Sequence, residues 1–300
     1  MKIVYTFLAV TLANFLFSES LLFKNASVYT GNADEVLEDH DIYVVNGKIV
    51  EINKDLDLSA DKIINAEGKI ITAGFISPYS HLGLVEINML AETRDDSSSV
   101  YSAGFSISQA FNPSSTLIPY NLNGGLTLAI STPSGNGLFS GLGSAFSLSG
   151  ENKSLLLKDL ALYGSIEAGG ESKAANLLLM EDIFELTRAF NGDLDKIQDH
   201  ALPKSFEYSK RDLMAIKRVL SKEIPFVTPV NRASDILSVI EFSKNQNIRL
   251  VIMGAAEGWR VAKQLFESKT PVILEPINNL PTSFDNLGSK LENAALLNKA

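Results

Sequence analysis

Three histidines, His40, His81 and His200, are the only imidazoles in the 300 residues, and cysteine is absent. A thiolate nucleophile, a disulfide framework and a cysteine-built zinc or iron–sulfur site are therefore excluded, and any metal must be held by His, Asp, Glu or Lys. His81 is the informative histidine. It closes the run Gly74-Phe75-Ile76-Ser77-Pro78-Tyr79-Ser80-His81, a strand-like stretch, and the C-terminal end of a barrel strand is where such folds keep their chemistry. There the imidazole is either a metal ligand or a structural side chain. Tyr79, two residues earlier, could join it only as a phenolate, and with a reference pKa of about 10 that needs strong help from a metal. His40, in a loop of the N-terminal β unit, and His200, in a polar connection, read as surface residues. Glu86, Glu92, Asp95 and Asp96 follow His81, either shaping a substrate pocket or forming a solvated loop. Arg232 and Asp235 open a helix after a strand, where an acidic first turn complements the helix dipole, so a structural role stands beside substrate contact.

Other chemistries lack their anchors. Gly135-Asn136-Gly137-Leu138-Phe139-Ser140-Gly141-Leu142-Gly143 invites a phosphate-loop reading, but Ser144 to Leu148 alternates like a strand, leaving no helix N-terminus to hold an anion. The expectation there is a flexible loop at a barrel mouth. No Gly-x-Ser-x-Gly elbow occurs. With 26 Lys+Arg against 35 Asp+Glu the net charge is −9, and no basic cluster remains to grip a phosphate backbone, which argues against a nucleic-acid partner. Lys210, Arg211, Lys217 and Arg218 are interrupted by Asp212 and sit at helical spacing, as on a solvated helix face.

The elements that position His81 fall into three stretches. Residues 1–20 read as a signal peptide: Lys2 precedes an apolar run from Ile3 to Phe17 that is too short to span a membrane, and Ser18 and Ser20 supply small residues before a cut ahead of Leu21. The mature chain is then exported, periplasmic or secreted, with no membrane contact after cleavage. Residues 21–72 alternate in short runs, with Asn46-Gly47 between Asp41–Val45 and Lys48–Ile52, a strong hairpin signal. Residues 73–300 alternate strand-like runs with amphipathic stretches, as in parallel βαβ units. The strands expected are Gly74–Tyr79, Leu126–Thr132, Pro225–Val230, Leu250–Met253 and Pro271–Leu274. The helices expected are Glu171–Phe190, Asp212–Leu220, Ala233–Lys244 and Glu257–Phe266. At 45% hydrophobic and 20% charged the chain can bury a core of this size. The order fits a (β/α) TIM-type barrel, which takes about 250 residues. Gly74 to Ala300 falls short of that, and Leu296 to Ala300 lies inside an amphipathic helix without a stop signal, so the last strands are expected to be missing and the chain to be a fragment.

On Gly74, Ile76 and His81 the sequence resembles the amidohydrolase superfamily, most closely its exported, imidazolonepropionase-like branch. Ala110-Phe111-Asn112-Pro113, Gly125-Leu126-Thr127, Asn231 to Ile236, Glu257 to Ala262 and Pro271 to Leu274 continue the resemblance in order. It implies a β-sandwich built from both chain ends beside the barrel. It also implies hydrolysis of non-peptide carbon–nitrogen bonds in small or cyclic amides, by water activated on a divalent metal, most readily zinc. His81 carries over as a metal ligand. Tyr79 stands where the family has its first histidine, Ser77 where it has Asp, and Pro229 where it has the strand-five histidine. The strand-six position falls at Met253 to Ala256, and the strand-eight Asp is expected beyond Ala300. Glu86, Asn231, Arg232 and Glu257 are the candidate substrate contacts. The loss of ligands at Tyr79 and Pro229 favours the rival reading, a metal-free pseudoenzyme or small-molecule binding protein on the same barrel. A homo-oligomer is compatible with either.

Overall fold

The computed structural model describes residues 19–31, 35–150, 153–190, 208–277 and 280–300. Residues 1–18, within the expected signal peptide, and His200 lie outside them. The chain divides at Gly74 into two units, and among the described residues no helix is long and apolar enough to cross a membrane.

The first unit is one five-stranded sheet: β1 (Ser20–Tyr29), β2 (Val36–Val45), β3 (Lys48–Asn53), β4 (Lys62–Asn65) and β5 (Ile70–Thr72). β1 is central, antiparallel to β2 and parallel to both β4 and β5, with β3 outside β2. Asn46 and Gly47 turn β2 into β3 with φ of 52° and 71°, the left-handed pair that matches strand twist in a tight hairpin. Ala26, Val28, Ile42 and Ala66 form its core. His40 is not in a loop. The polar run Glu38 to Asp41 continues β2, because Asp39 takes a left-handed φ of 57° and the buried Asp41 carboxylate is satisfied by Lys24 Nζ at 2.6 Å and the amides of Asn25 and Leu56 at 2.9 and 2.8 Å. Ser20 opens β1 with its amide and hydroxyl both 2.7 Å from Asp61 Oδ2.

The second unit runs β6 (Phe75–Ser80), α1 (Leu117–Asn123), β7 (Leu126–Ser131), β8 (Phe139–Ser147), β9 (Leu155–Gly164), α2 (Lys173–Ala189), α3 (Lys210–Leu220), β10 (Phe226–Val230), α4 (Ala233–Gln246), β11 (Leu250–Gly254), α5 (Ala262–Ser268), β12 (Val272–Leu274) and α6 (Asn293–Lys299). Its seven strands lie in sequence order from β6 to β12. β6 and β7 are parallel, as are β9 to β12, and the five strands expected from sequence are β6, β7, β10, β11 and β12.

Two expectations fail in the middle. β8 pairs antiparallel with both β7 and β9, so the glycine-rich stretch is not a flexible loop from Phe139 onward. Its glycines admit close neighbours: a Cβ on Gly143 would lie 2.5 Å from the Tyr163 ring and 3.2 Å from the Ser131 carbonyl. The helix expected over Glu257–Phe266 is split into a 3-10 turn, Gly258–Val261, followed by α5.

The sheet's two faces are read off residue parity. Leu162, Phe226, Val230, Leu250 and Ile252 pack against Met180, Ile183 and Phe184 of α2, Ile216 and Val219 of α3, and Ile236 and Ile240 of α4. The alternate residues Ala161, Tyr163, Val227, Val251, Met253 and Ile273 cluster on the other face, as the period of two requires. Pro229 and Met253 therefore lie on the face away from the helices, at the C-terminal ends of β10 and β11.

Candidate functional site at the C-terminal ends of the strands

His81 follows β6 directly, and its ring is fixed from both nitrogens. Nδ1 lies 3.0 Å from the Thr132 carbonyl. A carbonyl only accepts, so Nδ1 carries a proton, and whenever the ring is neutral Nε2 is its acceptor. Tyr79 Oη is 3.4 Å from Nε2, with the two rings edge-on at 5.5 Å. Burial raises the Tyr79 pKa, and the charges of Glu275 and Asp96 raise it further against a Thr132 hydrogen bond. The phenol keeps its proton at neutral pH and acts as a donor.

Behind His81 sits Asp96, wholly buried. Arg94 reaches it from Nε at 3.2 Å and Nη2 at 2.8 Å, and Ser134 donates its hydroxyl at 2.6 Å. Oδ2 also lies 3.5 Å from His81 Nδ1. Burial pushes this carboxyl up, but the Arg94 and Ser134 hydrogen bonds, with the charges of Arg94 and His81, outweigh it and hold the pKa below the usual carboxylate value. The Ser134 amide donates to the Asp96 carbonyl at 2.7 Å, so the connection after β7 is stitched to the one after β6. Asp96 does not belong to a solvated loop as Glu92 and Asp95 do. The Arg94-x-Asp96 spacing is the one sequence signal that could have singled it out.

Two cavities open at these strand ends. The larger, about 560 Å3, is lined by Tyr79, Ser134, Tyr163, Glu167, Pro229 and Met253 among others. The smaller, about 380 Å3, shares Pro229 and Met253 and adds Asn231, Glu275 and Asn293. They form one mouth with Pro229 and Met253 between its halves. Gly254 has φ +83°, and a Cβ there would lie 2.5 Å from Asn231 Oδ1, so β11 can end beside Asn231 only on a glycine.

The other residues singled out by sequence are held by neighbours. Glu86 accepts from Asn112, Ser115 and Thr116 at 3.0–3.4 Å, tying down that connection. Glu257 Oε2 accepts the Ala233 amide at 3.0 Å, a carboxylate against the N-terminus of α4. Arg232 caps the same helix and bonds Asp235 and Asp285 at 3.1 and 3.2 Å. Of the six candidates, Tyr79 and Asn231 line the mouth, and His81 is reached through Tyr79.

A catalytic zinc needs three protein ligands and an open position. His81 Nδ1 is committed to Thr132 and Nε2 faces Tyr79, while Pro229 offers no donor and Met253 only a soft thioether. Among the described residues, the only trio of His, Asp or Glu within mutual ligating distance is Glu167, Asp235 and Asp285. Lys173 Nζ already lies 2.8, 2.6 and 2.8 Å from those three. The described residues do not fit a divalent ion at the mouth.

No protein-family model matches the chain. An amidohydrolase from Thermotoga maritima MSB8 matches in structure with a TM-score of 0.77 over 93% of this chain and 76% of that one, at 23% identity. A 5-methylthioadenosine/S-adenosylhomocysteine deaminase from Thermococcus sibiricus is 41% identical over 73 residues, and one from Caldicellulosiruptor saccharolyticus is 36% identical over 77. Those matches span 24% of this chain and 17–18% of the deaminases' length. At these identities and spans the likeness is one of fold: the second unit is an α/β barrel-type sheet of the kind that the Thermotoga amidohydrolase has.

Proposed function

We propose that this chain is an amidohydrolase-type barrel whose mouth takes in a small molecule with a non-peptide carbon–nitrogen bond, a cyclic amide or related heterocycle, and hydrolyses that bond. The observation that carries this reading is the cavity of about 560 Å3 at the C-terminal strand ends of a sheet with an amidohydrolase's fold, the position where barrels of this type bind their ligands. The deaminase names of the partial relatives point to the same class of bond. Because the described residues do not fit a divalent ion, the chemistry assigned to the chain rests on its own side chains. His81 Nε2, oriented by Thr132 and backed by Asp96, becomes the acceptor for a proton from water once the Tyr79 hydroxyl turns from it to the ligand. Tyr79 Oη is the donor toward a carbonyl oxygen or leaving nitrogen. General acid–base catalysis is worth about 10²–10⁴-fold, so turnover by these groups alone is slow.

Pro229 and Met253 support a second reading, binding without turnover, because they stand where the sequence resemblance implies ligand positions. One experiment separates the two: a panel of cyclic amides and amino-heterocycles incubated with the protein, with zinc added and with chelator, read by mass spectrometry and by calorimetric binding. Turnover above the buffer rate supports hydrolysis. Saturable binding with no product under any condition supports the second reading, and neither binding nor turnover across the panel rejects both. The reading also includes export through the leader at residues 1–20, which N-terminal sequencing of the mature protein tests.

A further inference from the structure

The densest group of charges in the described chain lies apart from His81. Lys173, the first residue of α2, points its ammonium among Glu167 Oε1, Asp235 Oδ2 and Asp285 Oδ1 at 2.8, 2.6 and 2.8 Å. The three carboxylates come from three connections: Glu167 follows β9, Asp235 lies in the first turn of α4 after β10, and Asp285 follows β12. Their oxygens lie within 4.8 Å of one another, the convergence of hard oxygens that a divalent cation accepts. An ammonium has three N–H donors and no acceptor, and here it has three acceptors. Burial works against the charged lysine, but hydrogen bonds to Asp235, Asp285 and Glu167 outweigh it and raise the pKa above the ordinary lysine value. With Arg232 on Asp235 and Asp285, the group holds three negative and two positive charges. A divalent ion in place of the ammonium would neutralise it.

We propose that Lys173 is the resident cation of a carboxylate triad, a positioning residue that does the work of a structural divalent ion and clamps the connections around the mouth. Glu167 lines the larger cavity, and Asn286, next to Asp285, lines the smaller, so one ammonium holds both walls. An exposed ion-pair network would be worth little, but the side chains of Lys173 and Asp235 are only 24% and 12% exposed. The inference does not depend on the hydrolase reading.

The test is thermal unfolding of the whole chain in calcium or manganese. Wild type is expected to be indifferent to either ion and to chelator. K173M is expected to melt lower and to recover saturably with the ion, while K173M/D285N does not recover. Loss of packing alone would give no cation rescue. A K173M variant that melts with wild type, or that melts lower without rescue, overturns the proposal. Should K173M fail to fold, hydrogen exchange of D285N decides: amides of 283–286 exchange about tenfold faster while those of β10 are unchanged. Unchanged exchange at 283–286 overturns the clamp.

Discussion

Asp96→Asn isolates what the buried carboxylate contributes. The substitution keeps the shape and one acceptor oxygen, but replaces the other oxygen by an NH2 that faces the Arg94 guanidinium in either orientation, and the Ser134 hydroxyl as well when it takes the Oδ2 position. Hydrogen bonds to charged groups contribute about 1.5–3 kcal/mol each. Breaking a buried pair costs about 3–5 kcal/mol. Arg94 is 30% exposed and keeps its bonds to the Asn88 carbonyl and side chain at 2.9 and 2.8 Å, so the lower part of that range applies, about 2–3 kcal/mol. For a unit of this size that is a fall in Tm of about 4–12 °C. The pH dependence carries the sign. A carboxyl whose folded pKa is depressed stabilises fully above its unfolded value, about 3.9, and loses that contribution as pH falls through the folded value. The gap between wild type and Asp96→Asn should therefore be flat through neutral pH and close on acidification below about pH 4. Melts followed by circular dichroism across that range measure it. Equal melting at neutral pH, or a gap that widens in acid, would refute the account of how His81 is supported.

Thr228→Val should raise stability by about 1 kcal/mol, because the Thr228 hydroxyl is wholly buried without a hydrogen-bond partner among the described residues and Val replaces it at equal volume; urea unfolding measures the change, and a loss of stability would show that the hydroxyl is satisfied. Gly254→Ala should destabilise by at least about 1–2 kcal/mol from the left-handed backbone alone, with the Asn231 contact added, and a variant as stable as wild type in the same assay would remove the reason for glycine at that strand end. Tyr79→His with Pro229→His places two imidazoles on the cavity that both residues line. Stoichiometric zinc by elemental analysis is the expected gain over wild type, and its absence in a folded variant would mean that these are not the ligand positions.

The fold was legible where local signals agree with tertiary context. Asn46-Gly47 marked the β2–β3 turn, and the runs that became β10, β11 and β12 were apolar and bounded by polar or Pro residues, as buried parallel strands are. β9 was not among the strands expected, and of β8 only the part from Ser144 onward read as strand-like, because its first half carries Gly141 and Gly143 and glycine is depleted in strands. Gly143 sits in one because the Tyr163 ring leaves no room for a Cβ, which is a property of the neighbouring strand and not of its own segment. His40 was misplaced for a related reason: a charged run reads as a loop until the partner of its buried member, Lys24 for Asp41, is known to face it. Of the candidate residues named from sequence, the structure brings Tyr79 and Asn231 to the mouth and sets His81 behind Tyr79. Lys173 and Asp285 are 112 residues apart, and no window of sequence joins them.

The charges at the strand ends determine what kind of ligand the mouth suits. Asp96 is taken up by Arg94, Glu257 by the Ala233 amide at the start of α4, Glu167 by Lys173, and Asp235 and Asp285 by Lys173 and Arg232. Burial, and after it the charge of Glu275, raises the Tyr79 pKa, so the phenol is protonated at neutral pH. A ligand that brought a full charge would have to compete with contacts of 2.6–2.8 Å in partly dry surroundings, and charge-assisted bonds of that length are the strong ones. Beside Glu275 and Glu167, the side chains that face the mouth include the neutral Tyr79, Tyr163, Asn231, Pro229 and Met253. They offer a few hydroxyl and amide groups set among apolar surface, the pattern of a small-molecule site. The cyclic amide proposed above, neutral and with one carbonyl to accept and one N–H to donate, would suit that set under either of the two proposed readings.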